Sequence, residues 1–313
     1  MSYSGRFTDS LVQDQIDKVS LSFLVTDLIV RRGGVAANIA LGMARLGASP
    51  VLAAAAGTDF SDYHSHLVKN GVDTQSVYLS ESQLTARFSC TTDMDQNQIA
   101  SFYAGAMSEA RHIRLSDLEP FHLALIGPND PVAMLNYTEE CRTKGYPFAA
   151  DPSQQLSIMN GEDIRRLVAG AAYLFTNEYE HAMLLEKTGW THEEVLDLVA
   201  VWITTQGAAG VRIERARQSA VRVPAVPASG SLEPTGVGDG FRAGFLTATA
   251  CGLELYDAAM VGCTLATLVL ECDGPQEYDL QPSTFLSRLA GVYGEAAAAR
   301  ISARIAVLSG SAA

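Results

Sequence analysis

From about residue 120 onward, short apolar runs alternate with helical patterns, the signature of strand–helix–strand units around a parallel sheet. Residues 122–126 read as a strand, 131–143 as a helix closed by Gly145, and 147–150 as the next strand. A further strand is predicted at 173–176. Thr191 and Glu194 have the spacing of a capping box and start a helix leading to Ala200. The run 201–204 then enters a loop at 205–210. Beyond Gly236 helices dominate, at about 240–251, 256–271, 283–291 and 292–307. The predicted fold class is α/β, a doubly wound, mostly parallel sheet.

The first hundred residues follow another period. Segments 18–31 and 75–103 are β-rich, and 76–79, 85–92 and 99–103 alternate polar and apolar positions around a turn at 93–97. Between them lies a helix at 35–46, with an apolar stripe of Ala36, Ile39, Ala40, Met43 and Leu46 ended by Gly47. We expect a core domain from 32–74 and 104–313, with a small β-sheet lid from 1–31 and 75–103.

Composition narrows the possible partners. The 313 residues are 48% hydrophobic and 18% charged, an ordinary globular balance. With 22 Lys and Arg against 35 Asp and Glu, the formal charge is −13, which repels nucleic acid and anionic membrane. Any phosphate site must therefore be local and built largely from backbone. The five cysteines are odd in number, lack metal-ligand spacing and mostly sit in apolar runs, so reduced thiols in the cytoplasm are expected. The first residues carry no apolar signal-peptide core, and the longest apolar run, 258–270, is too short for a bilayer.

The chemistry concentrates in Pro234-Thr235-Gly236-Val237-Gly238-Asp239-Gly240, at the threshold of an apolar helix. A helix start offers unpaired N–H groups and a positive dipole end, and glycines let a phosphate approach them. A carboxylate there competes with a bound phosphate unless it takes a proton from an attacking hydroxyl. Asp239 is thus a candidate general base for phosphoryl transfer. The alternative is a tight turn whose Asp stabilises a helix start.

Gly236-Val237-Gly238-Asp239 resembles the C-terminal signature of the ribokinase-like (PfkB) carbohydrate and nucleoside kinases. Gly33 and Gly34, followed by Asn38 and by Leu46-Gly47, resemble their N-terminal signature. Within that family the chain is similar to the actinobacterial adenosine kinases from about Gly5 onward, in runs such as 18–24 (KVSLSFL), 106–111 (AMSEAR) and 150–155 (ADPSQQ).

The resemblance implies ATP as donor and Mg²⁺ as cofactor. Asp239 would accept the proton of the substrate hydroxyl while the N–H groups of Gly236, Val237 and Gly238 hold the γ-phosphate. Thr235 would fix the loop. Asn177 and Glu180 match an Asn-x-x-Glu motif that organises Mg²⁺ through its waters, although taken alone they read first as a helix cap with Glu at the third position. Thr205, Gly207 and Gly210 resemble a segment passing near the ATP phosphates and ribose; alone they read as a turn. Gly33, Gly34 and Asn38 would meet the sugar, with a polar helix-start residue the alternative for Asn38. Phe102 would stack on a purine, a core residue being its alternative, and Gln154 or Gln155 would read its edge; Arg87 and Asn129 are lesser candidates that read by default as a lid charge and a strand-end turn residue. The lid would cover substrate and offer a homodimer surface.

Three departures from the family stand out. Relatives begin with a hydrophobic strand followed by Gly and a sugar-gripping Asp, whereas this chain matches them only from about their twentieth residue. The core's first strand is therefore expected to be missing. Glu233 replaces a common Asp, and Gly240 a usual Ala. The expected function is an ATP-dependent kinase for the 5′-hydroxyl of a nucleoside, adenosine first. The alternatives are a kinase for another sugar or modified nucleoside, or a non-catalytic nucleotide-binding paralogue.

Overall fold

The computed structural model describes residues 1–10, 22–230 and 232–309. Its main sheet has six strands: β7 (Ala124–Ile126), β8 (Phe148–Ala150), β9 (Tyr173–Asn177), β10 (Trp202–Thr205), β11 (Val211–Glu214) and β12 (Val221–Val223), in the order β12-β11-β10-β9-β8-β7. The four strands β7 to β10 run parallel, and β11 and β12 continue the sheet antiparallel. Parallel neighbours need crossovers, which α4 (Pro131–Lys144), α5 (Gly161–Val168), α6 (Glu178–Thr188) and α7 (His192–Leu198) supply.

Local sequence sets each crossover. Asp130 caps α4 through the Ala133 N–H, Pro131 occupies the first turn, and Gly145 ends the helix in the left-handed region. The capping box expected at Thr191 and Glu194 is formed, and a second joins Asn177 to Glu180. One face of the sheet packs on α4 to α7 through a core that includes Met134, Leu167, Leu174 and Trp202. The other face meets α2 (Val35–Arg45), α8 (Val237–Ala250), α9 (Leu255–Leu270), α10 (Pro282–Tyr293) and α11 (Glu295–Ser302). Helices on both faces make the sheet doubly wound, as the alternation of runs predicts.

A four-stranded lid sheet has the order β2-β1-β5-β6, from β1 (Ser2–Tyr3), β2 (Val25–Asp27), β5 (Arg87–Thr92) and β6 (Gln98–Tyr103), with α1 (Phe7–Ser10) following β1. β5 and β6 form an antiparallel hairpin in which Phe88 faces Phe102. The strand expected at 76–79 does not join this lid. As β4 (Val77–Leu79) it pairs in parallel with β3 (Ala54–Ala56), beyond α3 (Ser61–Lys69). Ala56 and Val77 are half the reason, since both pack into an apolar cluster with Leu52, Leu67 and Val72. Of the β-rich segment 18–31, residues 18–21 lie outside the described residues, and the remainder contributes only β2.

Candidate active site

Two helices from opposite ends of the chain build the centre of the site. α2 and α8 approach so closely that a Cβ on Gly42 would stand 2.7 Å from the Cβ of Ala243. Asn38 and Asp239 each lie one turn before that contact, and the Asn38 amide donates to Asp239 Oδ2 at 2.8 Å. The glycine therefore brings the N-terminal signature against the C-terminal one.

α8 starts without a side-chain cap. Gly236 precedes it at φ 81°, a left-handed conformation that a side chain would strain, and a Cβ there would lie 2.4 Å from Pro275. The Val237 N–H turns back to the Pro234 carbonyl at 3.3 Å. The N–H groups of Gly236, Gly238 and Asp239 have no acceptor among the described residues. Of the expected donors, the Val237 N–H is thus engaged within the turn, while the Asp239 N–H stands free beside those of Gly236 and Gly238. Thr235 is fixed by its neighbour, since its N–H and hydroxyl both donate to Glu233 Oε1, at 3.0 and 2.7 Å. Glu233 thus makes this loop contact itself.

Asp239 is 9% exposed. Burial pushes its carboxyl from 3.8 up to about 7; the Asn38 hydrogen bond and the Arg242 charge oppose the rise, and Asp151 adds to it. A carboxyl with such a value holds or releases a proton near neutral pH, as a general base must. Its Oδ1 makes no hydrogen bond among the described residues, so one oxygen is anchored and the other is available.

Arg242 follows one turn later, 6% exposed. It donates to the Gly238 carbonyl at 3.0 Å and to Asp151 Oδ1 at 2.6 Å, and its guanidinium lies over the Phe175 ring, 5.4 Å from the centroid. Asp151 directly follows β8, and burial pushes its carboxyl up against the pull of that guanidinium. A buried pair of this kind is weak evidence for stability, because desolvation of both charges offsets their attraction. Sequence reading passes over Arg242, although the one basic residue inside an otherwise apolar helix is a visible signal.

The residues expected on the donor side meet at the strand ends. Asn177 at the end of β9 stands in register with Thr205 at the end of β10. Asn177 and Glu180 form a full capping box, with both bonds at 2.8 Å. Glu180 Oε1 stays outside the cap, 3.5 Å from the Ser153 hydroxyl, and burial raises its carboxyl. A half-buried carboxylate oxygen left outside the cap is compatible with holding an ion through its waters. Among the described residues no cluster of three or more His, Cys, Asp or Glu side chains could hold a metal directly. Gly207 starts the short helical turn 207–209, and Gly210 packs under β12, where a Cβ would meet the Val223 carbonyl at 2.0 Å.

On the acceptor side Gly34 caps α2, and a Cβ at Gly33 or Gly34 would meet nothing within 4 Å, so both face open space. Asn38 is 8% exposed and committed at both ends of its amide, to Asp239 and to Gln276. Only its second N–H is left for a sugar. Phe102 is 58% and Phe88 66% exposed, an aromatic pair across the hairpin of which the sequence analysis names one member. Gln155 is buried with its Oε1 unpartnered, whereas Gln154 is exposed and accepts from the Ser153 hydroxyl. Arg87 is engaged by Asp59 and Asn129 by Asp130, so the structure gives both local roles.

An open doubly wound sheet, an uncapped glycine-lined helix start and a carboxylate beside it define a phosphotransferase acting on a hydroxyl group. The chain belongs to the pfkB family of carbohydrate kinases, whose family model matches residues 7–282. A nucleoside kinase of Methanocaldococcus jannaschii is 30% identical over 251 residues, covering 78% of this chain and 80% of the relative. The structure of Burkholderia thailandensis nucleoside kinase in complex with inosine superposes with a TM-score of 0.84 at 31% identity, covering 94% of this chain and 95% of that one. The same enzyme in complex with ADP-inosine gives a TM-score of 0.81 at 32% identity. No helix among the described residues is long and apolar enough to cross a membrane.

Proposed function

We propose that this chain transfers the γ-phosphoryl group of ATP to the 5′-hydroxyl of a nucleoside, converting adenosine to AMP, with Mg²⁺ on the phosphates. The observation that carries this reading is Asp239: one carboxylate oxygen held by Asn38, the other unbonded, beside the free N–H groups of Gly236, Gly238 and its own backbone. Phosphoryl transfer needs the hydroxyl aligned and deprotonated and the developing charge met by fixed donors. Asp239 takes the hydroxyl proton, and the helix start receives the transferring phosphoryl oxygens. Thr205 and Asn177, side by side at adjacent strand ends, face the donor, together with Gly207 and the loop fixed by Thr235. Mg²⁺ bound there would supply charge neutralisation, and Glu180 Oε1 would hold its water shell.

A nucleoside is favoured over a simple sugar by the Phe88–Phe102 pair and by the orphaned acceptor of Gln155. The first offers a stacking platform, and the second is a buried acceptor without a donor, suited to an amino or imino group on a base. The inosine complex of the Burkholderia enzyme supports the same substrate class. Five unpaired cysteines fit a reducing compartment such as the cytoplasm. The fully exposed strand β6 suits a second copy of the lid, which sedimentation of the purified protein would reveal as a dimer.

ADP release with adenosine, inosine, cytidine and ribose as acceptors tests the proposal. Turnover with a purine nucleoside at least about tenfold more efficient than with ribose is expected. Binding of ATP with no turnover on any of the four would contradict it.

A further inference from the structure

Behind Asp239 runs a buried chain of hydrogen bonds whose direction is fixed by counting donors. The Tyr63 hydroxyl, on α3, has one hydrogen and gives it to the Gly33 carbonyl at 2.9 Å. Its oxygen can then only accept, and Gln276 Nε2 donates to it. The second hydrogen of that amide goes to Asn38 Oδ1 at 2.8 Å. Asn38 must therefore turn its own NH₂ toward Asp239 Oδ2. Reversing either amide would set a carbonyl against a carbonyl or a carboxylate.

Gln276 is 1% exposed, and its Oε1 has no hydrogen-bond partner. An orphaned buried acceptor is destabilising, by about 1–3 kcal/mol in general. A glutamine kept only for stability would not spend both donors and leave its acceptor empty. The turn that carries it also presses Pro275 against Gly236, so one segment contacts both the helix start and the Asn38 amide that holds Asp239.

We propose that Gln276 and Tyr63 are positioning residues for phosphoryl transfer: through Asn38 they dictate which oxygen of Asp239 is anchored and which one faces the substrate hydroxyl. The inference rests on Asp239 being the base. It also links the acceptor side to the base, because the same chain ends on the Gly33 carbonyl, beside the segment that faces the substrate.

The charged and titratable groups around Asp239 are few. Arg242 comes from its own helix, Asp151 from the end of β8, and the Tyr63 phenol, pushed by burial up to about 12, from α3. α2 contributes the Asn38 amide, the turn after α9 the Gln276 amide, and α9 itself packs there with Ala266 and Val269. Asn38 donates to the carboxylate and favours its ionised form. If that amide is free to rotate, the Asp239 carboxyl rises, and the acid limb of activity moves to higher pH.

The test is the pH dependence of kcat/KM for Gln276→Met and Tyr63→Phe, with ATP–Mg²⁺ and adenosine or inosine, whichever is turned over faster. We expect the acid limb to move up by about half to one pH unit in Gln276→Met and less in Tyr63→Phe, with kcat reduced about tenfold in the former and KM for ATP little changed. Should Gln276→Met not fold, Tyr63→Phe carries the same test. An unmoved acid limb in the folded variants, with activity falling only in step with thermal stability, would overturn the positioning role. Asp239→Asn measured alongside separates the two ideas. Full activity in that variant removes the base, whereas an inactive Asp239→Asn with an unmoved limb in the others removes only the positioning.

Discussion

Asn38 and Asp239 are 201 positions apart in sequence and share a 2.8 Å hydrogen bond in the buried floor of the site. That bond joins the two signature segments and lowers the proton affinity that burial gives the Asp239 carboxyl. A hydrogen bond to a charged group contributes about 1.5–3 kcal/mol, comparable with but smaller than the burial penalty it opposes. The penalty wins, so the Asp239 carboxyl sits at about 7 and not below 4.

This balance has a consequence for stability. The folded value of about 7 lies above the reference 3.8, so between those values the native state binds more protons than the unfolded state. Stability contributed by this group is therefore present at low pH and falls as pH rises from about 4 to 7, by a few kcal/mol at most. Asp239→Asn should remove that slope. Denaturant titrations at pH 5 and pH 8 check it: the variant should gain stability relative to the parent at pH 8 and much less at pH 5.

Gly238→Val should harm ATP affinity and turnover together. A Cβ at this position would stand 2.8 Å from Arg242 Nη1, and the branched side chain would also fill the space before the free N–H groups. Isothermal titration with ATP should show a loss of at least about tenfold. Normal affinity would mean that the phosphate lies elsewhere.

Glu180→Gln separates two roles of one residue. Glutamine serves at the third position of a capping box, so helix α6 should keep its stability, while the negative charge is lost. The Mg²⁺ concentration for half-maximal rate should rise several-fold, and the requirement for nucleoside should not. An unchanged metal titration, with the melting temperature kept, would leave Glu180 only as a cap.

Phe102→Ala and Phe88→Ala should each weaken a purine nucleoside by about 1–3 kcal/mol if the pair stacks on the base. The same variants should leave phosphorylation of ribose, if any is measurable, unaffected. Equal losses for ribose and nucleoside would make the pair a support for the lid.

The parallel half of the sheet was legible because buried parallel strands are apolar runs and their helices carry caps, as Thr191 and Gly145 do. The antiparallel pair β11 and β12 was not assigned, since Val211–Glu214 and Val221–Val223 are short and interrupted by Arg and Glu. β4 was placed in the lid because alternation fixes a strand and not its partner. In the site, Gly236, Gly238 and Asp239 were readable as a local motif. Gln276 and Tyr63 were not, because a glutamine in a turn and a tyrosine on an exposed helix carry no spacing that reveals a shared hydrogen bond.

The most direct test is the single-turnover rate of Asp239→Asn with saturating ATP–Mg²⁺ and the preferred nucleoside. Loss of a general base predicts a rate reduced by roughly two to four orders of magnitude, with ATP affinity close to that of the parent. A variant that retains more than about a tenth of the parent rate would show that another group takes the proton, and would contradict the assignment of Asp239 as the base.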